Sequence, residues 1–298
     1  MNLLRKIQYN QYWNIGFCEQ TPEELIRDKQ LKPVRWLKHP YRDRWFADPF
    51  IYKVTESEIV VFVEECLMEK PKGIICELVI DRKSMRLKER YVMLDLNTHL
   101  SYPAYIHYDR KVYVYPENGA SGKLNIYEYD EIHHKLINPI CILDEAVADA
   151  TILEFNGRYY LSATKFPDTQ EKAYLYDSDF LFGAFKQIGK GPYQISRGCS
   201  RQGGNWLIVD GKIYRPAQDC VERYGAALTI TEMSDISMSI HEKSCFHLNP
   251  VGIRYNLGLH TLNFLDDVCV IDGYGHYHPL LGRMYYSTFM RKCIVFFK

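Results

Sequence analysis

Residues 148–164 read ADATILEFNGRYYLSAT, and this stretch decides the fold class. Small and polar residues open it, an alternating run follows, and Asn156-Gly157 separates that run from a second one ending on a polar residue. Asn-Gly takes the positive φ angles of a two-residue hairpin turn with little strain. The flanking runs have the period of strands that bury one face. The stretch therefore predicts a β-hairpin with Asp149 at its mouth.

Working outward, the same unit recurs. It reads ADPFIYKVTESEIVVFVEE at 47–65, SYPAYIHYDRKVYVYPENG at 101–119, GGNWLIVDGKIYRPAQD at 203–219 and LHTLNFLDDVCVIDG at 259–273. Asp109-Arg110, Asp210-Gly211 and Asp266-Asp267 stand at the turns. The copies begin 54, 47, 55 and 56 residues apart, close to the roughly 40–50 residues of a four-stranded propeller blade. GIICELVIDR, KLNIYEYDE, AYLYDSD and AALTITEM supply further strands between them. Helical signal is confined to TPEELIRDK, where Thr21 and Glu24 form a capping box. A sandwich needs no repeat of this length. The expectation is an all-β chain folded as one five-bladed β-propeller over 1–298, with a short N-terminal extension at about 1–40. The apolar, basic tail MRKCIVFFK reads as a closing strand, with attachment to a membrane surface as the alternative.

Composition sets limits on function. The 37 basic and 37 acidic residues cancel, which argues against a protein held to nucleic acid by net charge. Tyrosine is abundant, 24 of 298 residues, and aromatic rings suit both strands and sugar faces. Nine cysteines are scattered singly through apolar runs, without a Cys-x-x-Cys pair, as expected of buried thiols in a reducing compartment. MNLLRKIQYNQYWNIGF lacks the pattern of a signal peptide. A cytoplasmic protein is the expectation, with a position peripheral to a membrane as the alternative.

FADPFIY, HLSYPAYIHYDRKVYVYPENG and GCSRQGGNWLIVDGKIYRPAQDCVERYGAAL resemble the N-terminal domain of plant glucosamine inositolphosphorylceramide transferases and related stand-alone bacterial proteins. The likeness covers roughly residues 40–275. In the plant enzymes the recognised glycosyltransferase domain is a separate, C-terminal one, so the resemblance does not carry that activity here. More distantly, the Asp-Pro at 48–49 resembles the five-bladed furanosidase-type glycoside hydrolases. Those use three acids around the propeller axis: a base, an orienting Asp and an acid Glu. Asp48 matches the first place and Asp149 the second. At the third, this chain reads Ser200-Arg201-Gln202-Gly203-Gly204, with no carboxylate.

Asp48 and Asp149 are thus the candidate catalytic residues. Glycoside hydrolysis needs two carboxylates, one of them protonated. Glu64 or Glu117, at the ends of second strands, can replace the missing acid only if their strands bring them to the channel. Arg201 suits a phosphate or carboxylate through paired charge-assisted hydrogen bonds, with Arg215 and Arg254 as possible companions; alternatively it neutralises a buried Asp. Asp219, beside Gln218, is a candidate sugar ligand, and His260 a candidate channel histidine. His276 and His278 have the i, i+2 spacing of one strand face but no identifiable third metal ligand. His133-His134 reads as a solvated turn. P-loop, G-x-G-x-x-G and G-x-S-x-G motifs are missing from the sequence. No resident metal or cofactor is therefore expected.

Three readings follow. A glycosyltransferase of polysaccharide or glycolipid biosynthesis would take a nucleotide sugar, with a glycolipid acceptor at a membrane surface and partner biosynthetic enzymes. A five-bladed hydrolase would need the missing acid. A non-catalytic carbohydrate-binding or partner module would need neither.

Overall fold

The computed structural model describes residues 11–69, 72–233, 236 and 242–276. It is a five-bladed β-propeller: five antiparallel sheets arranged in a ring.

Two strands come first in the chain, β1 (Gln11–Glu19) and β2 (Arg35–Trp36). Blade 1 then holds β3 (Arg44–Val54), β4 (Glu58–Leu67), β5 (Gly73–Asp81) and β6 (Arg86–Leu94). Blade 2 holds β7 (Tyr105–Tyr108), β8 (Lys111–Val114), β9 (Leu124–Asp130) and β10 (Lys135–Leu143). Blade 3 is β11 (Val147–Phe155), β12 (Arg158–Lys165) and β13 (Lys172–Ser178), edged by β14 (Lys186–Gln187) and β15 (Gln194–Ile195). Blade 4 is β16 (Leu207–Val209), β17 (Lys212–Asp219), β18 (Ala227–Met233) and β19 (Glu242–Leu248).

Blade 5 combines both ends of the described chain. β20 (Leu262–Leu265) and β21 (Val268–His276) pair with each other, and β1 adds to β21 from Gln11↔His276 to Glu19↔Val268. β2 completes the edge. From Gln11 onward, the stretch expected as an N-terminal extension is therefore built into a blade. Closure comes from β1, and the expected closing strand MRKCIVFFK lies outside the described residues. The physical reason is burial: Ile15 and Phe17 sit in the core between blades 5 and 1.

The hairpin turns obey their sequences. Asn156-Gly157, Asp210-Gly211 and Asp109-Arg110 all have two successive positive φ angles, whereas Asp266 has one alone. The helix α1 (Pro22–Asp28) starts at Thr21, whose side chain accepts from the Glu24 N–H while the Glu24 carboxylate accepts from the Thr21 N–H. Large apolar and aromatic side chains fill the gaps between neighbouring sheets, as with Phe50, Tyr102, Tyr115 and Tyr176. Among the described residues, no helix is long and apolar enough to cross a membrane.

Candidate functional site

The same backbone device places both predicted aspartates. Strand pairing breaks between Ala47 and Phe50 in β3, and between Ala148 and Thr151 in β11. Asp48 and Asp149 sit inside these two bulges, each with φ 49°. Aspartate tolerates this left-handed conformation better than most residues, and a bulge re-aims the side chain it carries. Blade 2 repeats the geometry with Tyr102, at φ 47°. Its N–H donates to Asp48 Oδ2 (3.1 Å), and its hydroxyl meets Thr151 Oγ1 (2.9 Å) and the Gly204 N–H (2.8 Å). Tyr102 thus bridges four blades across the axis.

Asp48 belongs to a buried network with blade 5. Its Oδ1 accepts from the Thr261 hydroxyl (2.8 Å) and lies 3.7 Å from His260 Nε2. His260 Nδ1 contacts Asp272 Oδ2 at 2.5 Å. Asp272 also accepts from the backbone N–H groups of Asp48, His260 and Thr261. The His260 ring stacks on Trp13 at 4.0 Å, with the Tyr224 ring edge-on at 5.4 Å. Burial pushes the Asp48 carboxyl up to about 6, against the nearby His260 and with help from the charges of Asp149 and Asp272. For His260 burial opposes protonation, but Asp272 and Asp48 outweigh it and hold the imidazole above its ordinary value.

The second half of the cluster centres on Asp149. Arg201 presents Nε to Asp149 Oδ2 and Nη2 to Oδ1 (3.3 Å), while Gln218 Nε2 donates to Oδ2 (2.7 Å). Glu117 Oε2 accepts from the Asp149 N–H (3.0 Å) and lies 3.5 Å from Arg201 Nη2. Arg201 Nη1 donates to Thr169 Oγ1 (2.6 Å), and the Tyr224 ring covers the guanidinium at 5.0 Å. Burial opposes the Arg201 charge, yet Asp149, Tyr224 and Glu117 hold its pKa well above the ordinary value. Glu64 is buried 3.3 Å from His99 Nε2 but out of hydrogen-bonding alignment. Burial first, then the surrounding carboxylates, keeps Glu64 and Glu117 well above the ordinary carboxylate range; for Glu117, Arg201 partly offsets this.

Asp48, Glu64, Glu117, Asp149, Arg201 and His260 therefore share one buried, electrostatically linked cluster. Three expected members do not. Arg215 is wholly buried inside blade 4, forked onto Glu242 and the carbonyls of Cys199 and Ser200. It is a structural ion pair, because a buried guanidinium needs a carboxylate. Asp219 caps the following turn by accepting from the Val221 N–H (3.0 Å). Arg254 lines a separate pocket with Tyr12 and Tyr255 instead of joining Arg201. His276 is buried at the end of β21, and His278 lies outside the described residues. His134 stacks on Tyr91 at 3.7 Å and leans on Glu77, so only His133 has the exposed turn position expected of the pair.

Sequence reasoning missed Asp272, Tyr102, Thr261, Trp13 and Tyr224. Two carried a usable signal: Asp272 is a lone carboxylate in the apolar run VCVIDG, and Tyr102 holds the place in its copy that Asp48 and Asp149 hold in theirs. The ligand atoms of Asp48, His260 and Asp272 lie within 4.8 Å of one another, a possible metal set. Asp272, however, already receives four contacts from protein donors, which is about the capacity of a carboxylate. A cation there would displace one of them.

Comparison with known proteins adds the lineage. A transferase relative named glucosamine inositolphosphorylceramide transferase 1 from Arabidopsis thaliana is 27% identical over 199 residues, covering 65% of this chain and 26% of the relative. Its namesake from Oryza sativa subsp. japonica is 23% identical over 203 residues, covering 66% and 27%. The chain thus spans about a quarter of the length of the curated relatives it matches. Among solved structures, a family 117 glycoside hydrolase produced by Zobellia galactanivorans aligns with TM-score 0.56 at 9% identity, covering 89% of this chain and 90% of that one. A thermostable family-43 glycoside hydrolase aligns with TM-score 0.55 at 12% identity, covering 75% and 85%. At such identities these structures speak for the fold alone. The profile of the family described as glucosamine inositolphosphorylceramide transferase 1, N-terminal, matches residues 35–249, and the chain belongs to that family.

Proposed function

We propose that the axial cluster binds a sugar and that the chain acts in glycosyl transfer during glycolipid or polysaccharide assembly, taking a phosphate-activated donor. The observation that carries this reading is Asp48, buried beside the His260–Asp272 pair with its pKa near 6. A carboxylate tuned there is ionised at neutral pH yet basic enough to draw a proton from a hydroxyl. In this scheme Asp48 takes the acceptor proton as the acceptor oxygen attacks the anomeric carbon. The bond from that carbon to the donor phosphate breaks, and the phosphate leaves with the electron pair. Glu64 and Glu117, kept neutral, donate hydrogen bonds to sugar hydroxyls. Arg201 stands where the hydrolase plan has an acid, which disfavours hydrolysis. Its fork is occupied by Asp149, so it contributes charge and positioning to the cluster. The chain would work in the cytoplasm against a membrane that presents a glycolipid acceptor, beside partner biosynthetic enzymes.

A second reading, a sugar-binding module without turnover, is favoured by that same Arg201–Asp149 lock. Mass spectrometry of products from a nucleotide-sugar panel, with a phosphoinositol lipid as acceptor, separates the two. Transfer that disappears in Asp48→Asn supports the first. Sugar binding by calorimetry without turnover supports the second, and neither binding nor turnover sinks both.

A further inference from the structure

A pocket of about 250 Å³ opens between blades 5 and 1, at the same end of β3 as Asp48. Strand β1 divides the two sites by its alternation. Trp13 stacks on the axial His260, while its neighbours Tyr12 and Asn14 line the pocket. In a chain with equal numbers of acids and bases, this pocket is lined by Lys38, Arg42, Arg44 and Arg254 and by no carboxylate. Arg44 is neutralised from behind by Asp43 and Glu65. Arg254 lies over the Tyr12 ring at 6.0 Å. Lys38 and Arg42 are exposed and form no ion pair among the described residues.

The inner wall is polar and fixed. Asn14, 2% exposed, donates Nδ2 to the Leu37 carbonyl (3.0 Å) and to the Tyr255 hydroxyl (2.9 Å). The carbonyl can only accept, so the amide cannot be flipped, and Oδ1 is left buried without a donor. A buried acceptor without a partner calls for an explanation. The Tyr12 and Tyr255 hydroxyls meet at 2.9 Å beside it. Cations at the rim and hydroxyl-binding groups within match a ligand that carries both a phosphate and hydroxyls.

We propose that this pocket is a second binding site, distinct from the axial cluster, for the phosphate ester of a polyol. Such a headgroup reaches a protein either on a soluble molecule or on a membrane lipid.

The test uses the full chain. Binding of myo-inositol 1-phosphate, myo-inositol and inorganic phosphate is measured by calorimetry, and binding to vesicles of phosphatidylcholine with or without phosphatidylinositol by flotation. Inositol phosphate is expected to bind more tightly than either of its parts, and more weakly as salt is raised. Losing two charge-assisted contacts in Lys38→Gln/Arg42→Gln should weaken it by about tenfold or more. Lys190→Gln, on an exposed bend of blade 3, serves as the control. Binding only to phosphatidylinositol vesicles, with the same loss in the double variant, supports the pocket with a lipid as source. Binding of the soluble ester supports it with a free molecule as source. If neither probe binds, or if binding survives Lys38→Gln/Arg42→Gln, the proposal is overturned.

Discussion

Arg201 lays its guanidinium along the carboxylate of Asp149, Nε to Oδ2 and Nη2 to Oδ1, with both residues buried at the propeller axis. A position that could have offered positive charge to a ligand is committed to another blade. The pair couples blade 4 to blade 3, and Gln218 and Glu117 extend it on either side. Asp48 lacks such a cation fork. Its partners are a backbone N–H, a hydroxyl and the more distant His260. Two aspartates in the same backbone setting are thereby separated: one is locked in place, and the other is left tunable.

Removing Arg201 should unfold the site rather than open it. Arg201→Met leaves a buried charge on Asp149 with Gln218 as its remaining side-chain donor, a loss of about 3–5 kcal/mol. Adding Asp149→Asn removes that orphaned charge and should recover most of the loss. Urea unfolding of the two single variants and the double variant measures the coupling. Additive effects would show that the ion pair contributes no stability of its own.

Asp48 sets a pH dependence with a definite sign. In the unfolded chain this carboxyl ionises near 3.8, whereas in the folded chain it keeps its proton up to about 6. Between those values the unfolded state releases its proton first, so this group's contribution to stability falls as pH rises and levels off above about 6. The gap amounts to on the order of 3 kcal/mol. Asn fits the site: its Oδ1 can accept from the Tyr102 N–H, its amide can donate to Thr261, and it tolerates the positive φ. Asp48→Asn should therefore be more stable than the wild type at pH 7, equal to it below pH 4, and inactive in transfer. Equal melting of the two proteins at pH 7 would refute the raised pKa.

How much of this was legible in the sequence depended on whether a residue's signal was local. Asn156-Gly157 and Asp210-Gly211 dictate their own backbone angles, so the hairpins and their period could be read directly. Asp48 and Asp149 stand at equivalent places in the repeat and match two acids of the hydrolase plan that the sequence resembles. Arg215 and Asp219 looked equally promising in the string RPAQD, but their partners lie far along the chain or in a turn. Glu242, which claims Arg215, is 27 residues away. The role of β1 was hidden for the same reason, since its partner β21 begins at Val268. No local pattern announces a pairing across almost the whole chain.

The neutral acids are open to direct observation. Burial and neighbouring carboxylates hold Glu64 and Glu117 protonated well above the ordinary range. Infrared difference spectra at pH 7 should show the carbonyl stretch of un-ionised carboxylic acid, and Glu64→Gln should remove one component. A spectrum without protonated carboxyl bands at pH 7 would contradict the buried-acid description of the cluster.

Closure of the ring rests on β1. β1 lies between β2 and β21, so its removal exposes nine residues' worth of β21 backbone and strips Ile15 and Phe17 from the core. Burying each of those side chains is worth about 1.5–3 kcal/mol, and the lost ladder adds to that. Such a sum rivals the roughly 5–15 kcal/mol that holds a whole domain together. A chain lacking residues 11–19 should therefore lose its near-ultraviolet dichroism and its cooperative melt. It should also lose any axial ligand, because Trp13 no longer supports His260. A synthetic peptide spanning residues 11–20, added in trans, should restore part of both signals by re-forming the strand. If the truncated chain instead melts cooperatively at the wild-type midpoint, the ring closes without β1, and residues 11–19 are the dispensable extension that the sequence suggests.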